Sequence, residues 1–326
     1  MRGIWASALA VAAVLIVVLA AGTDASAQTY PSRPVRMVVA FSAGGTIDAL
    51  GRILARELSA PWGQSVVVDN RGGAAGNLGA MAAAQALPDG YTIHLGAQSL
   101  ATNVTMAPVP NFDPRRDLEP VIAVATAQDV LMVPPDSSAR SLPEWIAYAR
   151  ARPGELNYAS LGTGSSGHLA TVLFSEVTGL RLEHVPYTGI SQALTDIVAG
   201  RISVWLATLG GHLGNIQSGR VRALAVSGPA RAQSLPDVPT FAEEGVAFVE
   251  ESTWFGIFVP KGTPKPIIAK LNSDVAQVLA QSAMRERAAQ LGFRLIGGPP
   301  ERLADLLQSD IAKWAAVAKT AGLVAH

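Results

Sequence analysis

Three groups of residues in this chain have the types and spacing to do chemistry. The first is Gly44-Gly45-Thr46, with Asp48 two residues on, directly after an apolar run that ends at Phe41. The second is Gly162-Thr163-Gly164-Ser165-Ser166-Gly167-His168, and the third is Tyr187-Thr188-Gly189, followed later by Thr208 with Gly210 and Gly211. All are rich in glycine and hydroxyls. The first two stand between a strand-like run and a helical pattern, where backbone N–H groups lack partners and a close approach is open. The chemistry this implies is the holding of an anion or a small polar molecule.

Which anion is constrained by what these groups lack. A nucleotide P-loop needs a lysine and a hydroxyl after its last glycine, and Gly45 is followed by Thr46-Ile47. What remains there is a set of N–H groups and the Thr46 hydroxyl, sufficient for a carboxylate, or an ordinary strand-to-helix turn. Asp48 would repel a ligand carboxylate. In a first helical turn it can complement the helix dipole and tie down loop N–H groups, or receive a ligand amino group.

Gly162, Gly164 and Gly167 match the dinucleotide fingerprint literally, and Glu183 stands about 20 residues on, where a ribose-binding acid is expected. Against that reading, Glu183 sits within "RLEHVPY" rather than clearly at a strand end, and Thr163, Ser165 and Ser166 suit direct bonding to a small ligand. A hydrolase elbow needs glycine two residues either side of its serine. Ser166 has His168 after it and Ser165 has Thr163 before it. His168 opens a helix, where the dipole disfavours a cation, so it reads as a neutral packed or cleft-lining residue. His94, His184 and His212 are scattered singly, without the i, i+4 pairing of a helical metal site. No metal and no cofactor is expected. Tyr187 reads as a cleft residue and Trp205 as core; Gly72 and Gly73, in "VVDNRGGAAGNLGA", read as a tight turn.

The elements that must position these groups follow from periodicity. "VRMVVAF", "SVVVD" and "YTIHLG" read as strands, with helices near 47–59 and 77–87 between them. Ile47, Leu50, Leu54 and Leu58 form one stripe, while Asp48, Arg52 and Arg56 lie opposite. After an irregular stretch at 107–120, a second round brings strands "VLMVPP", "LNYASLG", "RLEHVPY", "ISVWLATL" and "VRALAVSG", with helices near 142–152, 166–178 and 190–199. "TWFGIFVP" is a late strand, and helices start near Thr263-Pro264 and Pro300-Glu301. The alternation predicts parallel sheet covered by helices, arranged as two lobes or as one doubly wound sheet.

Bulk composition bounds the rest. The 326 residues are 49% hydrophobic and 15% charged, so a sizeable core is expected. Lys plus Arg and Asp plus Glu number 25 each, which gives no sign of a nucleic-acid surface. Cysteine is absent, excluding disulfides, thiolate metal sites and a cysteine nucleophile. The N-terminus has Arg2, an apolar run from Ile4 to Ala21 and the triplet Ala25-Ser26-Ala27, the layout of a secretory signal cleaved after Ala27. An uncleaved anchor is the alternative, since that run reaches the lower limit of a membrane span. The mature chain is expected in the periplasm.

Seven ordered segments resemble the extracytoplasmic solute receptors of tripartite tricarboxylate transporters, the Bug/TctC family: "VRMVVAFSAGGTIDALGR", "VVVDNRGGAAGNLGA", "LPDGYTIHLG", "LNYASLGTGSSGHLA", "EHVPYTGISQALTDIVAGRI", "VRALAVSGPARAQSLPDVPTFAEEG" and "WFGIFVPKGTPKPI". The resemblance implies an α/β, two-lobed periplasmic-binding-protein fold (type II-like), each lobe a mixed, mainly parallel sheet flanked by helices, with two crossovers. One lobe would be 28–126 plus 247–326 and the other 127–246. It implies a non-enzymatic receptor for a small carboxylate or related polar solute, delivered to membrane permease subunits, with no nucleic-acid partner. A ligand-dependent sensor and an exported nucleotide-dependent oxidoreductase are the alternatives. Contacts would come from Phe41, Ala43, Gly44, Gly45 and Thr46; from Gly162, Thr163, Gly164, Ser165, Ser166 and His168; and from Tyr187, Thr188, Gly189 and Thr208, with Asp48 holding its loop. Thr188 stands where the family usually has lysine and Ser203 where aspartate is common, which points to a different solute preference.

Overall fold

A computed structural model describes residues 30–106, 108–247 and 253–320. The secretory signal read in residues 1–27 lies outside the described residues. Among those described, no helix is long and apolar enough to cross a membrane.

The first half of the chain builds a sheet outward from β1 (Val35–Val39), a run with four of its five residues fully buried. It pairs in parallel with β2 (Val66–Asn70) on one side and β3 (Thr92–Ala97) on the other. The crossovers are helices α1 (Thr46–Trp62) and α2 (Asn77–Ala84). Leu50, Leu54 and Leu58 on α1 are wholly buried against Val35, Met37 and Val39, as the helical stripe requires. Gly63, in the left-handed region at φ 59°, ends α1.

The stretch expected to be irregular at 107–120 holds more order than its prolines imply. Helix α3 (Ser99–Met106) precedes it, and a single turn, α4 (Pro114–Asp117), is capped by the Asp113 carboxylate accepting from the Arg115 N–H. Strand β4 then runs from Leu118 to Ala127. It tolerates Pro120 because the ladder shifts register beside it, where Phe258 meets Pro120.

The first sheet closes only with late sequence. The eight residues of β10 (Thr253–Pro260) are all buried and lie antiparallel between β3 and β4; β11 (Phe293–Leu295) adds to β4, giving the order β11-β4-β10-β3-β1-β2. The parallel expectation therefore holds for β1, β2 and β3 and not for β10 and β11. A strand returning from another part of the molecule takes its direction from where the return lands, not from a local crossover. Helices α9 (Lys265–Ala280), α10 (Ser282–Gln290) and α11 (Pro300–Thr320), numbered after the helices of the second half, complete this body.

The second body centres on β5 (Asp129–Val133), antiparallel to both β8 (Trp205–Thr208) and β9 (Arg222–Val226). A parallel pair, β6 (Asn157–Ser160) and β7 (Glu183–Pro186), joins it through a bridge from Tyr158 to Val204. Helices α5 (Leu142–Arg150), α6 (Ser166–Thr178), α7 (Ile190–Val198) and the short α8 (Leu213–Gln217) flank it. Alternation on β5 sends Leu131 and Val133 into one core with Trp145, Phe174 and Leu206, and Val130 and Met132 into another with Ile197 and Trp205.

The chain passes between the bodies at Gln128, between β4 and β5, and again in the stretch between β9 and β10. The Gln128 amide donates to the Ser227 and Ala230 carbonyls, and its own carbonyl accepts from the Leu209 N–H, so the first crossing is tied to the second body.

Candidate functional site

The glycine loops meet at a cavity of about 590 Å³ between the two bodies. Three helix N-termini point their first turns into it: α1 through Gly45, Thr46 and Ile47, α6 through Ser165, Ser166 and Gly167, and α7 through Gly189, Ile190 and Ser191. At α1 and α7 the capping position is glycine, and no side chain caps the first-turn N–H groups. Unclaimed N–H groups and three positive dipole ends then face one space. No lysine or arginine is among its described lining residues. The arrangement attracts a negative group through backbone dipoles alone.

The opening loop is shaped by Asp48, which is 3% exposed. Its Oδ2 accepts from the Gly44 N–H at 2.9 Å and from Arg52 Nε at 2.9 Å. Gly44, at φ +85°, takes a conformation that side chains rarely adopt. Phe41, Ala43, Gly44, Gly45 and Thr46 all line the cavity, but the Gly44 N–H is already engaged. The Thr46 hydroxyl reaches across to the Thr208 carbonyl at 3.4 Å.

The second loop divides. Gly162, Thr163, Ser165 and Ser166 line the cavity, whereas Gly164 and His168 are not on its wall. The Gly164 N–H donates to His168 Nδ1 at 3.2 Å, and its carbonyl accepts from Thr102 Oγ1 at 2.6 Å. His168 stacks on His184 at 4.2 Å between ring centres, and burial, then the neighbouring His184, lowers its pKa to about 4. An imidazole packed this way shapes the loop from behind. Gly167 is glycine for a steric reason: a Cβ there would stand 2.8 Å from the Leu206 carbonyl oxygen, so α6 could not seat on β8.

Tyr187, Thr188, Gly189 and Thr208 line the cavity too. Tyr187 offers its ring, because its hydroxyl donates to Asp196 Oδ2 at 2.7 Å; burial and that acidic partner push its pKa up to about 12. Thr188 Oγ1 bonds Gln192 Oε1 at 3.0 Å. Trp205 is both core, at 1% exposed, and cavity wall. Ser203, away from the wall, bonds Asn157.

Sequence reading missed part of the wall. Gly72 and Gly73, read as a turn, line the cavity with Gly76, and a Cβ on Gly72 would stand 3.0 Å from the Ser42 N. The run of four glycines was the signal for that close approach. Ser99 and His212 come from segments with no motif, and Thr253 and Phe255 lie in the late strand, where no local pattern points to a ligand.

The rival chemistries lack their geometry. Glu183 pairs with Asn157 at the start of both strands, the end of β6 and β7 away from the Gly162 loop, so it does not sit beside a ligand there. Ser160 Oγ and His184 Nε2 are 2.6 Å apart, but Ser160 is wholly buried and off the cavity wall.

Comparison with known proteins agrees with this architecture. The family described as "Tripartite tricarboxylate transporter family receptor" matches residues 50–323. Protein BugT of Bordetella pertussis is 36% identical over 316 residues, covering 96% of this chain and 97% of its own. The structure of the periplasmic binding protein BugD superposes with a TM-score of 0.85 at 33% identity, over 90% of this chain and 99% of its own. Rpa4515 of R. palustris, solved with adipate, superposes with a TM-score of 0.87 at 38% identity over the same shares.

Proposed function

This chain belongs to the tripartite tricarboxylate transporter receptor family, a family of solute-binding receptors, and from that premise we propose that it is a periplasmic receptor for a small carboxylate. The observation that carries the reading is the convergence of three helix N-termini on one cavity with no lysine or arginine among the described residues of its wall. A carboxylate fits such a site because aligned N–H groups stabilise negative charge without a cation. The adipate in Rpa4515, a two-lobed relative, supports the same ligand class.

In this reading the lobes are residues 28–126 plus 247–326 and residues 127–246, and they close over the solute. Ala43, Gly45 and Thr46 hold it from one side, and Gly162, Thr163, Ser165 and Ser166 from the other. Gly189 and Thr208 complete the clamp, while Phe41 and Tyr187 give it ring faces. Asp48 holds the opening loop rather than the ligand. The chain carries no reaction; it is exported, cleaved after Ala27, and presents the closed form to permease subunits of a tripartite transporter.

Thermal-shift screening of the mature chain against mono-, di- and tricarboxylates tests this. A solute present at a hundred times its Kd adds about 2.7 kcal/mol to the folded state, a readily measured rise in Tm. No rise with any acid of a broad panel would sink the receptor reading.

A further inference from the structure

Two polar side chains of the cavity wall are buried without a partner. His212, from the lobe-two segment after β8, is 2% exposed, and Thr253, at the start of β10, is 3% exposed. His212 Nδ1 and Thr253 Oγ1 have no hydrogen-bond partner among the described residues. Buried polar atoms in folded proteins are nearly all paired, and a ligand is one way to pair two that line the same cavity.

Both groups are firmly held. The His212 ring stands edge-on to Trp205 with centres 4.4 Å apart. Its backbone N–H donates to the Leu209 carbonyl, and its carbonyl accepts from the Asn215 and Ile216 N–H groups. Thr253 is fixed in the ladder opposite Ala127. The surroundings are apolar, with Trp205 and Phe255 on the same wall. One unsatisfied group thus comes from each lobe.

The chemistry of this second pole is neutral. Burial lowers the His212 pKa to about 4, so the ring is uncharged at pH 7 and carries one donor and one acceptor. A threonine hydroxyl likewise gives and takes one hydrogen bond. A second carboxylate placed here would be taken from water with no cation on the wall to offset it. A hydroxyl or oxo group would satisfy these atoms without that cost.

Resting on the receptor reading above, we propose that His212 and Thr253 form a second, neutral subsite. The solute is then a monocarboxylate whose far end carries a hydroxyl or oxo group. Its carboxylate sits at the helix N-termini, and its far end bridges the lobes.

The test is calorimetric titration of the mature chain with three matched series of four to eight carbons: unsubstituted acids, ω-hydroxy acids and α,ω-diacids. The expected result is one ω-hydroxy acid bound at least tenfold more tightly than the unsubstituted acid and the diacid of the same length. His212→Phe and Thr253→Val should each cut that preference to within about threefold, while His212→Gln, which keeps a donor and an acceptor, retains more of it. Thr253→Val is close to isosteric, so the test survives a His212 variant that does not fold. A diacid as the tightest ligand, or a preference unmoved in both variants, overturns the subsite and leaves the receptor reading standing. No binding in any series removes both.

Discussion

The Gly44 N–H donates to Asp48 Oδ2 at 2.9 Å, so the acid closest to the glycine loop holds that loop through one of its two carboxylate oxygens. The same oxygen accepts from Arg52 Nε one helical turn on, at 2.9 Å. One carboxylate thereby fixes both the left-handed Gly44 and the start of α1.

The first prediction follows from that carboxylate. Burial pushes the Asp48 carboxyl up, but Arg52, the Gly44 N–H and Asn70 together pull it below the usual 3.8. A folded pKa below the unfolded one adds stability above about pH 3.8, and that stability is lost as pH falls through the lower value. Asp48→Asn should cost about 1–3 kcal/mol at pH 7. The difference from wild type should shrink below pH 3.8, read by urea unfolding across pH.

Gly211 lies against the start of α1 in the other body: a Cβ there would stand 2.8 Å from Thr46 Oγ1 and 3.2 Å from Thr46 N. Gly211→Ala should wedge the lobes apart while leaving each core intact. We expect apo stability within about 1 kcal/mol of wild type. Affinity for the bound carboxylate should fall at least tenfold, and small-angle scattering should show a larger radius of gyration. Unchanged affinity with unchanged scattering would mean that the closed contact does not depend on this approach.

Thr102 Oγ1 reaches the Gly164 carbonyl at 2.6 Å, a second bond between the proposed lobes. Thr102→Val keeps the shape and removes the donor. The loss should weaken solute binding by about 0.5–1.5 kcal/mol, the usual net worth of one hydrogen bond. Titration of wild type and variant with the same acid checks this, and equal affinities would count against a latch.

Buried histidines set an acid limit. Burial lowers the pKa of His94 to about 4, against a weaker opposing pull from its bond to the Val38 carbonyl, and burial does the same for His168. The unfolded chain, with histidine near 6.5, binds more protons, so stability is complete above about pH 6.5 and falls as pH drops toward 4. Each group should contribute about 2–3 kcal/mol over that window. Melting curves from pH 7 to 4.5 should show the decline, and His94→Gln should flatten it.

Trp314 on α11 is 1% exposed and packs with Met106 of α3, Leu169 of α6 and Ala318, so the last helix touches elements of both bodies. Trp314→Ala should cost about 3–5 kcal/mol, the range for emptying a buried aromatic site. Denaturant unfolding measures it. A cost below 1 kcal/mol would show that the site collapses or that the contact is weak in solution.

Much of this was legible in the chain. The apolar run 35–39, the stripe Ile47–Leu50–Leu54–Leu58 and the glycine–hydroxyl loops are local patterns, and local geometry obeys them. Helix α6 begins and ends where Ser165 caps it and Gly179 turns left-handed, both readable as residue types. Gly44 and Gly45 of the opening loop and Gly162 and Gly167 of the second reach the cavity because glycine and helix starts bring exposed N–H groups wherever the chain goes.

Other features were decided only by the folded whole. The pairing of β10 between β3 and β4 depends on where a chain returns after more than a hundred residues, and no period encodes that. His168 and Gly164 have the same local signature as Ser165 and Ser166, yet stacking on His184 and the bond from Thr102 turn them away from the cavity. His212 and Thr253 carry no motif, and they acquire meaning by being buried, unpaired and on one wall. Sequence sets which backbone groups can be offered; tertiary packing decides which are already taken and which remain for a ligand, because each donor and acceptor can be satisfied by whatever the fold brings within about 3 Å.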